Sequence, residues 1–314
     1  MIANKMVYNS TIVKSVDWVA ENWDYFNPLN KDPFPVKIKN KSFAELTLVI
    51  LLGLKYKTSI PGQVTAVLEK LNEKVLEVVK NPLFYEDFFI NPAQFKPLDV
   101  ALILCSLVNP DDLLLKKMLR KAYDRGLFTP VVASTFRVYE SDYLLALCGI
   151  KEFPDEEKTA IAMKTVLGGE FLNMVSMNRP EEYELTHILF YLSDWGKDDI
   201  SRFISQDRLK LVKEALVLLT GKNLLLKNND LLSEYIMNMC DLNMDHAVLE
   251  LAYARLMESQ REDGVFAAAA YTYESKLGAE IFKNMDPYKT DLILHYHTTF
   301  VGLMASFTYL DKYN

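Results

Sequence analysis

Four histidines and a few carboxylates carry most of the chemistry this chain could perform, and two stretches concentrate them. Residues 180–197 read PEEYELTHILFYLSDWGK. Tyr183, His187 and Tyr191 recur every four residues and Asp194 follows three later, which on a helix sets all four along one side. An imidazole between phenols and a carboxylate suits general acid/base work. In that reading His187 moves the proton, Asp194 orients or charge-balances it, Tyr191 donates a hydrogen bond and Tyr183 faces substrate. Asp194 is the odd member, because a carboxylate in a last turn meets the negative end of the helix dipole. The competing reading of the same residues is ordinary: packed tyrosines, a hydrogen-bonded core histidine and a surface aspartate.

The second stretch is DLILHYHTTFVGLMASF, an apolar helix holding His295 and His297. Residues two apart point roughly 200° apart on a helix, so these two imidazoles serve different surroundings. His297 is expected to join the catalytic set from the helix that closes the fold, and His295 to contact substrate. Asp230 and Glu234, four apart in NNDLLSEYIMNMCDL, present two carboxylates on one face, a pattern for acid/base chemistry or cation binding. Asp230 is equally a first-turn acid behind an Asn cap, whereas Glu234 has less structural reason to be there. Asp263, in QREDGVF, completes the candidate substrate contacts. A zinc or magnesium ion held by His187, Asp194 and His297 is chemically sensible, although no paired-ligand spacing such as HExxH or CxxC supports it.

These residues need helices to position them, and almost every segment reads as helix. Apolar residues recur at three- and four-residue spacing. Pro97, Pro110, Pro130, Pro154 and Pro180 each precede such a run, and proline at a first helical position loses no needed N–H. Ser42-Phe43-Ala44-Glu45 reads as a capping box. The start signals predict about twelve helices, near 10–24, 42–55, 61–80, 97–108, 110–125, 130–147, 155–167, 180–194, 206–220, 228–240, 244–260 and 288–311. Short connections make neighbours antiparallel. The fold class is therefore all-α over one domain, 1–314. An α/α toroid of about six helical hairpins is favoured over an open α-solenoid, since no self-similar repeat is visible.

Composition narrows the function. Half of the 314 residues are hydrophobic, enough for a large core and too many for a disordered chain. The net charge of -7, with no basic stripe, disfavours nucleic acid. Cys105, Cys148 and Cys240 are odd in number and scattered, which fits free thiols in a reducing compartment. No apolar run reaches the ~20 residues of a membrane span, and no export signal is visible, so a cytoplasmic location is expected. Phosphate loops and the GxSxG elbow are absent.

Gln260, Asp263, Gly264 and Phe266 form Q-x-x-D-G-x-F. This resembles the QW-type motif of terpenoid cyclases and of protein prenyltransferase β-subunits, where the Gln caps a neighbouring helix and the Gly and aromatic make a packed turn between barrel helices. The resemblance covers about seven residues and implies architecture, an α/α toroid. The DxDD, DDxxD and Asp-Cys-His patterns of those enzymes are missing here: Gly196 stands where the first Asp of DxDD would precede Asp198-Asp199, and Leu115 follows Asp111-Asp112. The segment ELTH-x3-YLSD-x-G also looks like an uncharacterised bacterial helical family. The leading expectation is a biosynthetic enzyme of specialised metabolism that cyclises, eliminates or hydrolyses an apolar or peptide substrate in a toroid cavity. The alternatives are a non-catalytic helical scaffold for a peptide or protein, and a divalent-metal enzyme using His187, Asp194 and His297.

Overall fold

The computed structural model describes residues 2–31, 35–90, 97–128, 135–166, 171–269, 282 and 285–314. The chain is all-α: fifteen α-helices and one short 3-10 turn, Ile200–Arg202, and no strand among the described residues. The helices are α1 Ile2–Glu21, α2 Trp23–Phe26, α3 Val36–Lys55, α4 Gly62–Lys80, α5 Pro82–Ile90, α6 Pro97–Val108, α7 Leu113–Asp124, α8 Thr135–Leu147, α9 Glu156–Val166, α10 Phe171–Val175, α11 Arg179–Leu192, α12 Gln206–Leu225, α13 Asn229–Asp241, α14 Ala247–Glu258 and α15 Pro287–Lys312.

Two kinds of helix are visible in the residues themselves. In α4 the buried positions Val64, Leu68, Leu71, Val75 and Val78 recur at three or four, the one-sided stripe of a helix with solvent behind it. In α13 every residue from Asn229 to Cys240 is buried, and in α6 the run from Ala101 to Ser106 is, as expected of helices surrounded by others. The contacts follow this division. Helices α3, α6, α8, α11, α13 and α15 touch in sequence, and α15 returns to α3, so the circuit closes. Helices α1, α4, α7, α9, α12 and α14 pack against members of that circuit.

The ring helices that meet at the candidate site run the same way. Their C-terminal ends gather at one pole: Lys55 of α3 donates to the carbonyls of Asp194 and Trp195 just after α11, at 3.2 and 2.8 Å, and Lys312 of α15 donates to Asn243 just after α13 at 2.8 Å. The opposite pole therefore collects helix N-termini, whose free N–H groups and dipoles favour negative charge.

Several predicted starts shift. Ser42 and Glu45 do not cap α3, which begins at Val36; Ser42 Oγ bonds back to the Lys39 carbonyl at 3.0 Å and Glu45 is released for other work. Helix α7 begins at Leu113, three residues beyond Pro110, and is capped by Asp112, whose side chain accepts from Leu114 and Leu115 N–H. Helix α11 opens on a complete capping box between Asn178 and Glu181, with Pro180 in its first turn. The short helices α5 and α10 lie in stretches predicted as connections. Pro130 and the start of the helix predicted at 130–147 lie outside the described residues.

The Q-x-x-D-G-x-F segment is a seam. Gln260 Nε2 donates to the Thr11 carbonyl at 2.7 Å and to Ser15 Oγ at 2.8 Å, both on α1. Gly264 has φ +91, and a Cβ there would sit 2.4 Å from the Lys14 carbonyl, so only glycine fits. Phe266 is fully buried against Gly302 of α15, where an added Cβ would meet its ring at 2.7 Å. The motif ties α1, the turn after α14 and α15 together.

Candidate active site

At the pole of N-termini, four ring helices direct polar side chains to one place. Asp230 stands in the first turn of α13 and Glu234 one turn later; both are buried. His297 of α15 stands between two carboxylates, its Nε2 3.2 Å from Asp230 Oδ1 and its Nδ1 3.1 Å from Glu45 Oε2 of α3. From α11, Tyr183 OH donates to Asp230 Oδ2 and Thr186 Oγ1 to Glu234 Oε2. Arg179 Nη2 lies 3.6 Å from Asp230 Oδ2 and donates to Tyr183 OH at 3.1 Å. His187 Nδ1 is 2.8 Å from the Tyr183 carbonyl and 3.8 Å from Glu234 Oε2. On the flank, Tyr191 OH donates to Glu140 of α8, which also pairs with Arg137 at 2.6 Å.

The electrostatics follow from burial and pairing. Burial opposes the charge on His297, yet Glu45 and Asp230 on either side raise it to about 10. Burial would likewise raise Glu45, but His297 and Lys41 hold it down to about 2. Burial and the Arg137 guanidinium push His187 the other way, down to about 4, so one imidazole of this mouth is a cation and the other a neutral base. Asp230 and Glu234 share one volume. Burial acts on both, but His297 holds Asp230 below the usual carboxylate range, while burial and the Asp230 charge push Glu234 up. Two adjacent carboxylates in low dielectric do not both ionise freely, so the pair titrates as a unit with Glu234 the member pushed up.

The mouth is open at its imidazoles. The His187 and His297 side chains keep 22% and 29% of their exposure, against 4% for Glu234. The rings thus face solvent at the rim, and Asp230 and Glu234 lie beneath them.

The structure brings together His187, His297, Tyr183 and Glu234 from the sequence reading, and adds Asp230, Glu45, Arg179, Arg137 and Glu140. Glu45 was hidden by its apparent capping role; Asp230 looked like a helix-start acid. Asp194 is not in this cluster. It follows the end of α11 with φ +46, pairs with Lys197 at 3.4 Å, and its carbonyl receives Lys55. These cations supply the compensation that the sequence did not reveal. Asp194 therefore does not join His187 and His297: it lies beyond the end of α11, a rise of roughly 10 Å along the helix from His187. Asp194 instead lines a second pocket of about 780 Å³ between α8, α9 and α11, along with Tyr143, Tyr191 and Arg202.

His295 faces away from His297, as their spacing predicts. It is 3% exposed, accepts from the Ala268 N–H at 2.9 Å and pairs with Asp291 at 3.4 Å, so it fastens the Phe266 loop to α15. Asp263 pairs with Arg261 at 2.7 Å and accepts from Val265 N–H; it belongs to the turn of the seam. Neither reaches the mouth.

Fold and site together define an all-α protein whose ring helices converge on a mixed carboxylate and imidazole cluster. The chain belongs to the family described as a domain of unknown function (DUF6895), whose model matches residues 12–307. No curated protein and no solved structure matches it. No helix among the described residues is long and apolar enough to cross a membrane.

Proposed function

We propose that this chain is an enzyme, an α/α toroid whose acid/base site is the mouth formed by the N-terminal halves of its inner helices. The observation that carries this reading is the convergence itself. Asp230, Glu234, Glu45, His187 and His297 come from α3, α11, α13 and α15 and touch in one continuous network. Burying so many ionisable groups costs stability, and a fold that needed only a core would fill this volume with apolar side chains. Groups whose surroundings drive their protonation apart are the usual arrangement of acid and base partners.

In this reading Glu234 is the proton donor, Asp230 its charged partner, and His187 the neutral base at the rim. Tyr183 and Thr186 orient the two carboxylates. The substrate is a small molecule or peptide, and the reaction an elimination, cyclisation or hydrolysis. A scaffold that only binds a partner would have no need to gather these side chains, so their clustering favours the enzyme over the scaffold.

The test is untargeted. The purified chain is incubated with a metabolite and peptide extract and consumption is followed by mass spectrometry. The wild type is expected to deplete at least one compound, Glu234→Gln to slow this at least 100-fold, and His187→Ala to abolish it with little change in Tm. No depletion by the wild type, or equal depletion by both variants, refutes the enzyme reading. A large loss of stability in His187→Ala would make His187 a core residue.

A further inference from the structure

We infer that the same mouth is a binding site for one divalent transition cation of the zinc or manganese kind, held by Asp230, Glu234 and His297, with Glu45 as the positioning residue behind the imidazole. The inference rests on reading this mouth as the reactive centre and names the cofactor it would use. Binding the cation displaces the protons of Glu234 and His297, so in the metal-bound form Glu234 is a ligand and His187 alone remains the base.

Three observations carry it. One ligand atom from each of Asp230, Glu234 and His297 lies within 4.8 Å of the others. A tetrahedral ion with bonds of about 2.0–2.2 Å needs ligand atoms roughly 3.3 Å apart, so a small contraction of side chains on rigid helices completes the site. The next observation is buried polarity whose only partner is one imidazole. Asp230 Oδ1, Glu45 Oε2 and His297 Nδ1 are all buried atoms without a directional hydrogen bond; the two carboxylate oxygens are met only by the His297 imidazole, at 3.2 and 3.1 Å. Buried polar atoms are rarely left so, and here three of them meet around one imidazole.

The last observation is the division of labour at each group. Tyr183 OH binds Asp230 Oδ2, leaving Oδ1 turned toward His297 Nε2 at 3.2 Å. Thr186 binds Glu234 Oε2, leaving Oε1 for an ion. Glu45 stands 3.1 Å from the far nitrogen, Nδ1, the place of the carboxylate that fixes tautomer and ring orientation behind a metal-bound histidine. One imidazole and two carboxylates suit zinc or manganese; magnesium and calcium prefer oxygen alone.

The experiment needs no substrate. The full chain is stripped with a chelator, dialysed, and titrated by calorimetry with zinc, manganese or magnesium chloride. One zinc or manganese per chain is expected, with magnesium at least tenfold weaker. Asp230→Asn and His297→Gln should each weaken binding at least tenfold, and Glu45→Gln by roughly 10–100-fold, as for other residues behind a metal ligand. His246→Gln, on an exposed residue at the start of α14, should change nothing. Each variant is checked by circular dichroism. If Asp230→Asn fails to fold, Glu45→Gln and cobalt substitution decide, because cobalt on nitrogen and oxygen lacks the thiolate charge-transfer bands that Cys105, Cys148 or Cys240 would give.

The inference is overturned if no stoichiometric zinc or manganese binds, if affinity is indifferent to Asp230 and His297, or if thiolate bands appear. Loss of this inference leaves the extract assay standing. A bound metal with no turnover overturns the enzyme reading alone.

Discussion

Helices α11 and α13 carry two buried acidic clusters, and the two are built to opposite standards. Glu182, 2% exposed, has every need met: Lys222 on one oxygen, Asn223 at 2.7 Å and Tyr235 OH at 2.9 Å on the other. One turn along α11 and across to the mouth, Asp230, Glu45 and His297 have only each other: one atom of each lacks a directional hydrogen bond, and the imidazole alone faces both carboxylates. A buried charge that only holds helices together must be fully satisfied or it destabilises them. One that must exchange protons or accept a ligand keeps a coordination place open. The difference lies in the completeness of the surrounding bonds and in exposure: the Glu182 side chain keeps 3%, those of Glu45 and His297 20% and 29%.

The largest test of that contrast is Glu182→Ala. It strands Lys222 and frees Asn223 and Tyr235, so unfolding free energy should fall by about 2–4 kcal/mol, read by urea denaturation. A loss below about 1 kcal/mol would mean that the satisfied cluster is not structural. An intermediate case is Asp241 at the far pole, where burial raises the carboxyl to about 7 against the pull of Lys55, and Oδ2 has no hydrogen bond. Unfolded, it titrates near 3.9. Between these values the folded state binds the extra proton, so stability is greatest below about pH 4 and is lost as pH rises toward 7. Asp241→Asn should therefore be more stable than wild type at pH 8, by about 1–3 kcal/mol, and close to it at pH 4; denaturation at both pH values gives the slope. The smallest effect on stability is expected from Glu234→Gln, within about 1 kcal/mol, because the amide resembles the protonated acid. The same change should cost activity most. A Glu234→Gln protein as damaged as Glu182→Ala would erase the distinction between the clusters.

Much of this was legible in the residues. Period and punctuation gave the all-α class, and His187, Tyr183, Glu234 and His297 were picked out as polar groups on apolar helices. What stayed hidden is what depends on a third body. Glu45 satisfied a local capping pattern, and only α15, lying beside α3, shows that its partner is His297. Asp230 likewise passed as a helix-start acid. Asp194 was misleading for the opposite reason. Its carboxylate is met by Lys197, three residues on, and its carbonyl by Lys55, 139 residues away; only the second lies outside the local pattern. Local rules read local energetics well, and the site lies where long-range partners override them.

The closed circuit of inner helices has a consequence in time as well as space. Glu45 belongs to the first ring helix and His297 to the last, so their meeting waits for nearly the whole chain to be synthesised. Joining such distant segments carries a loop-closure cost and slows folding. During synthesis α3 has neither its α15 neighbour nor its ionic partner, and the apolar flank that α15 covers stands open, the kind of surface that invites chaperones. The His297 side of the cluster is therefore completed late. A ribosome-stalled chain ending before residue 287 would carry Asp230 and Glu234 but no His297 beside them, so the cluster is complete only once α15 has joined α3 and α13.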